Sequence, residues 1–275
     1  MASDATATRI TPADLLARKG GEPIVCLTAY TYPIARLLDP HVDLLLVGDS
    51  VAMVLHGHQN TLGATMDMMV AHGQAVMRGA VHACVVVDMP AGSYEDSVQN
   101  AVASAERIMR ETGCDAVKLE GGVEMAPQIA AIVAAGIPVM GHIGLLPQSV
   151  EKEGGYKIKG RTDANIAALH ADARAVEAAG AFSVVIEGTV EPVAADISAM
   201  LSIPTIGIGA SPKCDGQILV IDDAIGLTVD RVPKFVREYA HLRDAVATAA
   251  ENYARDVRNR SFPAPEHLFS PQDKA

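Results

Sequence analysis

Short, almost continuously apolar runs recur along the chain and are separated by longer segments of helical character. Runs without polar alternation are typical of parallel strands that are covered on both faces. Eight strands alternating with helices favour one closed (β/α)8 barrel, a TIM barrel, over an open doubly wound sheet. The eight runs are 24–28, 43–47, 84–87, 116–119, 139–141, 183–186, 205–208 and 217–221.

Helical periodicity occupies most of the intervening segments. Gly113, Gly136 and Gly180 stand where a C-terminal glycine belongs, and Thr162 or Asp163 is suited to cap the helix that follows. Little helix separates the seventh run from the eighth, so seven strands or a distorted closure stays an alternative. The predicted helices are 66–79, 95–112, 124–135, 163–179 and 192–201, followed by an amphipathic stripe of Phe235, Tyr239, Leu242, Val246, Ala249 and Tyr253.

The length of 275 residues matches one barrel of this kind or two small domains. We predict a single barrel domain over residues 1–275, with a short N-terminal extension and a C-terminal helix and tail. The tail SFPAPEHLFSPQDKA contains two X-Pro steps and two Phe residues, which suggests an extended arm over the surface or onto a neighbour.

An acidic balance limits the classes of partner. Lys and Arg number 22 and Asp and Glu 33, a net charge of −11, which argues against binding to nucleic acid or to an anionic membrane. The N-terminus has no apolar segment of a secretory signal. The longest apolar stretch, 129–141, is interrupted by Gly136 and Pro138 and is too short to cross a bilayer. We expect a cytoplasmic protein that acts on small molecules.

The cysteines indicate neither a zinc site nor a redox motif. They are far apart in the sequence and form no CxxC pair, which is typical of reduced thiols that act as small buried hydrophobes. The four are Cys26, Cys84, Cys114 and Cys214.

Polar side chains follow the apolar runs, at the strand ends that form the active site of a parallel barrel. Asp49, Asp88 and Glu120 come at three successive ends and form an all-oxygen set. Such ligands favour Mg²⁺, or Mn²⁺ as its substitute, over zinc or copper, and a cation would offset the mutual repulsion of the carboxylates. Other polar residues at these ends are Ser50, Lys118, His142 and Glu187.

Simpler structural roles stay open for several of these residues. A single Asp after a strand is commonly a cap or turn residue, and Lys118 and Glu120 lie on the same side of a strand, where they could pair with each other. His142 either donates to a backbone carbonyl or takes part in catalysis. The segment GGYKIKGR at 154–161, which includes Lys157, is either an anion-binding lid or a solvated loop.

Several sequence blocks together resemble the ketopantoate hydroxymethyltransferase family over residues 23–227. The order and spacing of the blocks carry the resemblance, since any one of them alone is short. They are LTAY, LLLVGDS, VVDMPAGSYE, VKLEGG, GIPVMGHIGLLPQS, GGYKIKGR, AGAFSVVIEG and IPTIGIGASPKCDGQILV.

The resemblance implies a Mg²⁺-dependent (β/α)8 enzyme of the phosphoenolpyruvate/pyruvate-like superfamily. It implies transfer of a hydroxymethyl group from 5,10-methylenetetrahydrofolate to 3-methyl-2-oxobutanoate, through a Mg-stabilised enolate, giving 2-dehydropantoate in pantothenate biosynthesis. It also implies a homodecamer.

The resemblance also assigns roles to residues. Asp49 and Asp88 hold the metal and contact the keto acid, and Glu120 lies on the metal or beside it. Ser50 and Lys118 contact the keto acid. Glu187 is the proton acceptor.

Two other functions remain alternatives. One is a C–C lyase or phosphonomutase with the same fold and metal. Dependence of the reaction on folate would distinguish a hydroxymethyltransferase from these enzymes. A keto-acid-binding paralogue without turnover is the other alternative, since Ala52, Ala91 and Leu146 depart from the common family pattern.

Overall fold

Eight parallel strands close into a barrel in which each strand pairs with the next in sequence and β8 pairs with β1. The structure, a computed structural model, describes residues 8–270. The start of the predicted extension and the end of the predicted tail lie outside this range. The strands are β1 Ile24–Thr28, β2 Leu44–Val47, β3 Cys84–Asp88, β4 Ala116–Glu120, β5 Val139–Gly144, β6 Ser183–Glu187, β7 Thr205–Ile208 and β8 Gly216–Leu219.

The predicted fold class and the count of eight strands are therefore confirmed. The alternative of seven strands is wrong: β7 and β8 are joined without a helix, yet Gly216 pairs with Ile206 on one side and with Ile24 on the other. The fifth run was predicted too short, because the strand continues past Gly141 to Gly144.

Helices connect most of the strands, with bounds close to those predicted. Within residues 8–270 they are α1 Pro12–Leu16, α2 Tyr32–Leu38, α3 Val51–Val54, α4 Met66–Gly79, α5 Val98–Thr112, α6 Ala126–Ala134, α7 Val150–Glu153, α8 Asp163–Ala178, α9 Glu191–Met200, α10 Ile221–Ala224 and α11 Leu242–Arg258.

Capping explains two helix starts. The Ser97 side chain accepts a hydrogen bond from the Asn100 amide, so α5 begins at Val98 rather than at residue 95. Thr162, and not Asp163, caps α8 in the same way. One predicted helix start was wrong: Tyr239 precedes α11, because its amide donates to the Ala224 carbonyl and not to a carbonyl one helical turn earlier. Phe235 also lies before that helix.

The barrel interior is filled by alternate residues of the strands. Leu44 and Leu46 of β2 and Cys84 and Val86 of β3 belong to one buried apolar cluster, as the period of two in a strand requires. The opposite face of the sheet meets the helices. At Gly141 a Cβ would lie 2.4 Å from Val176 of α8, so the sheet and this helix approach closely.

The chain divides into two compact units, one ending at Ile221 and one beginning at Asp222. The first unit contains the barrel, and the second contains α11. A single domain over residues 1–275 stays a prediction. All four cysteines are free and buried, as predicted. Every helix within residues 8–270 is too short or too polar to cross a bilayer.

Closure of the barrel depends on a glycine in β8. A Cβ at Gly216 would lie 2.5 Å from the Ile24 carbonyl oxygen and 2.7 Å from Cδ1 of Ile206. We expect Gly216→Ala to lower the free energy of unfolding by about 1–3 kcal/mol, since overpacking forces the two neighbouring strands apart. Urea denaturation measures this, with Val25→Ala at an exposed position of β1 as the control. An equal loss of unfolding free energy in both variants would contradict the claim that the closed barrel needs a glycine at position 216.

Candidate active site

Charged side chains continue the inward-facing pattern of the strands at the carboxyl end of the barrel. On β3, Cys84 and Val86 belong to the apolar core, and Asp88 is the next residue in the same period. Other strands repeat this change from apolar to charged. The contacts described below connect all of the predicted site residues that carry charge, which are Asp49, Asp88, Lys118, Glu120, Glu187 and His142.

Asp88 links β2, β3 and β4. Its Oδ1 lies 2.8 Å from Lys118 Nζ, and its Oδ2 accepts a hydrogen bond of 2.9 Å from the Asp49 amide. All three residues are buried. Pairing of Lys118 with Glu120, which the sequence left open, is not what the structure shows: the ammonium group instead contacts the carboxylate of the neighbouring strand.

His142 stands between two glutamates. Its Nδ1 is 3.4 Å from Glu120 Oε1, and its Nε2 is 3.2 Å from Glu187 Oε2. The interpretation of His142 as a donor to a backbone carbonyl was therefore wrong. Glu120 is in register with His142 on the neighbouring strand, and Glu187 lies two residues beyond the register partner of His142 on β6. The imidazole therefore reaches a carboxylate on each side.

Gln148 supports the carboxylates, and sequence reasoning missed it. Its side-chain amide donates to Asp49 Oδ2 at 2.9 Å, and its backbone amide donates to Glu120 Oε2 at 3.0 Å. Tyr94 OH in turn donates to Gln148 Oε1 at 2.6 Å. The signal available in the sequence was the position of Gln148 soon after the fifth strand, on the same rim as the acidic residues.

The loop after β2 approaches the site through a residue without a side chain. A Cβ at Gly48 would lie 2.8 Å from Ser50 Oγ and 3.6 Å from Asp88 Oδ2. The Ser50 hydroxyl lies 2.8 Å from Tyr30 OH. Glycine at this position therefore lets the chain turn into α3 while Asp49 and Ser50 stay at the rim.

Negative charge is in excess at this end of the barrel. Burial raises the pKa of Asp49 to about 8, and the charges of Asp88 and Glu120 add to that rise. Burial also raises the pKa of Asp88, although Lys118 acts in the opposite direction. Burial lowers the pKa of Lys118, but the surrounding carboxylates outweigh it and raise the value overall, so Lys118 keeps its charge.

The protonation of His142 follows from its partners. Burial and the charge of Lys118 lower its pKa, whereas hydrogen bonds to Glu120 and Glu187 raise it to about 9. A charged imidazole at neutral pH forms an ion pair with each of the two glutamates. Two cations, Lys118 and His142, therefore face four carboxyl groups, and with a pKa of about 8 Asp49 keeps its proton at neutral pH unless a further cation is bound.

The donor set fits a hard divalent cation. Buried carboxylates with a raised pKa gain stability from a positive charge nearby, and their oxygens are ligands that Mg²⁺ accepts. Within residues 8–270, no three acidic, His or Cys side chains already share the spacing that one metal ion needs. The carboxylates are held instead by Lys118, Gln148 and His142.

Fold and site together define a (β/α)8 enzyme with an acidic centre at the carboxyl ends of its strands. The structure is similar to that of a phosphonopyruvate hydrolase, with a TM-score of 0.61 and 14% identity over 95% of this chain and 92% of the other. It is also similar to a 2,3-dimethylmalate lyase of the PEP mutase/isocitrate lyase superfamily, with a TM-score of 0.56 and 17% identity over 95% and 92%. At this identity the likeness concerns the fold.

Sequence similarity identifies the family. The model of the ketopantoate hydroxymethyltransferase family matches residues 9–265. A 3-methyl-2-oxobutanoate hydroxymethyltransferase of Mesorhizobium japonicum is 79% identical over 92% of this chain and 88% of its own length. One from Brucella suis is 58% identical over 98% of both chains. The chain belongs to the ketopantoate hydroxymethyltransferase family.

The raised pKa of Asp49 predicts a pH-dependent cost in protein stripped of divalent cations. The unfolded chain loses this proton near pH 4 and the folded chain near pH 8, so stability falls as pH rises between those values. Asp49→Asn removes the cost. We expect the variant to exceed the wild type by more than about 1.4 kcal/mol at pH 8 and to match it near pH 4.

Urea denaturation in excess chelator at both pH values measures the difference. A constant offset between Asp49→Asn and the wild type at all pH values would contradict the electrostatic explanation.

Proposed function

We propose that this enzyme transfers a hydroxymethyl group from 5,10-methylenetetrahydrofolate to 3-methyl-2-oxobutanoate, forming 2-dehydropantoate in pantothenate biosynthesis. Membership of the family and the names of its relatives support the reaction. The observation that carries the proposal is the buried group of Asp49, Asp88, Lys118 and Glu120 at one mouth, which His142 connects to Glu187. That group can bind an anionic keto acid and leave a separate carboxylate free to accept a proton.

Asp49 and Asp88 would hold Mg²⁺, with Glu120 on the ion or beside it. When bound, the ion supplies a Lewis acid that makes the hydrogen next to the keto group more acidic. The excess of buried carboxylates supports this assignment, because the chain itself offers too few positive charges at the site.

The remaining steps belong to side chains of the protein. Lys118 and Ser50 contact the oxygens of the keto acid and orient it. Glu187 accepts the proton from C3 of the keto acid. His142, 3.2 Å from Glu187 Oε2, fixes the direction of the carboxylate and leaves its other oxygen to accept that proton. The carbon freed of its proton bonds to the methylene carbon of the folate, both C–N bonds of that methylene group break, and water supplies the hydroxyl oxygen of the product. The two nitrogens of the tetrahydrofolate that leaves take up one proton from that water and the one that Glu187 received.

The oligomer and the location are also proposals. We propose a cytoplasmic homodecamer, supported by the resemblance and by α11, which has no buried residue and exposes Val246, Tyr253 and Val257. Sedimentation of the purified protein at the mass of one chain would contradict the assembly.

Hydroxymethyl transfer is tested by incubating the enzyme with keto acid, with and without methylenetetrahydrofolate and Mg²⁺, and measuring 2-dehydropantoate. The proposal requires all three components. Cleavage or rearrangement of a keto acid in the absence of folate would favour a lyase or mutase, which are activities of proteins with a similar fold. Binding of the keto acid without any turnover would favour the alternative of a non-catalytic, keto-acid-binding paralogue.

Glu187→Gln should lose proton removal and keep substrate binding. The amide is nearly isosteric but cannot accept the proton, so exchange of the C3 hydrogen with deuterated water should fall by about 10²- to 10⁴-fold. NMR measures exchange and calorimetry measures keto acid binding. Glu22→Gln, at an exposed position, is the matched control. Exchange close to that of the wild type would remove Glu187 from this role.

Asp88→Ala should abolish Mg²⁺-dependent activity. The substitution removes a proposed ligand and leaves Lys118 buried without its carboxylate partner. The transfer assay across a range of Mg²⁺ concentrations measures the effect, and circular dichroism checks the fold. Asp196→Ala on the exposed face of α9 is the control. Full activity of Asp88→Ala, or of the wild type in excess chelator, would rule out the metal assignment.

A further inference from the structure

A basic cavity lies in the loop between α7 and α8, outside the acidic centre. Its volume is about 660 Å³, which falls in the usual range for small-molecule sites. The segment is the GGYKIKGR block for which the sequence left a lid or a solvated loop open. Its lining residues are Glu153, Tyr156, Lys157, Ile158, Lys159, Arg161 and Asn165.

Two of the three cations in this cavity have no carboxylate partner. Lys159 forms an ion pair with Glu153 at 2.5 Å. Lys157 Nζ donates to the backbone carbonyl of Glu153, which carries no charge. Arg161 has no ion pair within the part of the chain that the structure describes. In a chain of net charge −11, this cavity is therefore a local region of positive charge.

Backbone hydrogen bonds place the cavity beside the proposed base. The Lys159 amide donates to the Gly188 carbonyl at 2.8 Å, and the Val190 amide donates to the Lys159 carbonyl at 3.0 Å. Gly188 directly follows Glu187. Burial raises the pKa of Tyr156 in the cavity wall, and the charge of Glu187 contributes to the rise. The cavity therefore adjoins the mouth at the strand that supplies the base.

We propose that this cavity binds the carboxylates of the glutamate tail of the folate co-substrate. The proposal rests on the proposed function, which requires a carrier whose pterin end reaches the acidic centre and whose anionic end must avoid it. Lys157 and Arg161 attract that end at the rim, on the side of Glu187.

The test compares carriers that differ only in the tail. KM is measured for methylenetetrahydrofolate with one and with three glutamates, at saturating keto acid and Mg²⁺. The wild type should show a KM about three- to tenfold lower for the triglutamate, since exposed ion pairs contribute modestly. The preference should vanish in the double variant Lys157→Ala/Arg161→Ala, with kcat and the KM for keto acid unchanged.

Lys152→Ala provides the matched control. Lys152 is an exposed cation of α7 that does not line the cavity, so this variant should keep the preference. An ionic strength of about 1 M, where the Debye length is about 3 Å, should reduce the preference of the wild type. Equal KM values for both carriers in the wild type, or a preference that survives in the double variant, would overturn the proposal.

Direct binding separates this proposal from the transfer reaction itself. A tri-γ-glutamate peptide should bind the wild type in calorimetry and bind the double variant at least about threefold more weakly. Such binding in an enzyme without transfer activity would support the cavity and contradict the proposed function. Transfer activity with equal KM values for the two carriers would support the proposed function and contradict the role of the cavity. Displacement of the peptide by inorganic phosphate at equal concentration would show that the cavity binds anions in general. That result would overturn the proposal that the cavity binds the glutamate tail.

Discussion

Burial of several carboxylates at one end of the barrel is the constraint on which the site depends. Asp49, Asp88 and Glu120 are almost fully buried, and each is held by a side chain of the protein: Gln148, Lys118 and His142 respectively. Removing a carboxylate from water is costly unless a charge or a hydrogen bond compensates. Lys118, His142 and Gln148 supply part of this compensation. The part of the burial cost that these three residues leave uncompensated is what makes a divalent cation chemically suitable here.

The barrel provides this arrangement because neighbouring parallel strands end at the same rim. Along a single strand the inward positions pass from apolar at the amino end to charged at the carboxyl end, as Val86 and Asp88 illustrate. The apolar half stabilises the closed sheet, and the charged half faces the mouth. The backbone that carries the site is therefore fixed by the same strands that form the core.

Much of this could be predicted from the sequence, and the reasons are physical. Uninterrupted apolar runs identify buried parallel strands, and barrel topology then places the residues after each run at a common rim. This is why Asp49, Asp88 and Glu187 could be singled out. Side-chain pairing was less accessible: the partner of Lys118 lies on the adjacent strand, whereas the sequence also allowed Glu120 on its own strand.

Other features depended on tertiary contacts that no local pattern contains. Gln148 is a polar residue in a short 3-10 helix, and only its hydrogen bonds to Asp49 and Glu120 show that it supports the site. The role of His142 depends on glutamates from two flanking strands. The stripe with Tyr239 has helical spacing, yet a hydrogen bond to Ala224 gives that segment another backbone path.

The most direct test of the account is a titration with Mn²⁺ followed by electron paramagnetic resonance, because the free ion and the bound ion give distinct signals. The account predicts one Mn²⁺ for each chain, displaced by Mg²⁺, and no such binding when Asp49 and Asp88 are both replaced by Asn. Unchanged binding of one ion in that double variant would contradict the claim that these buried carboxylates form the cation site.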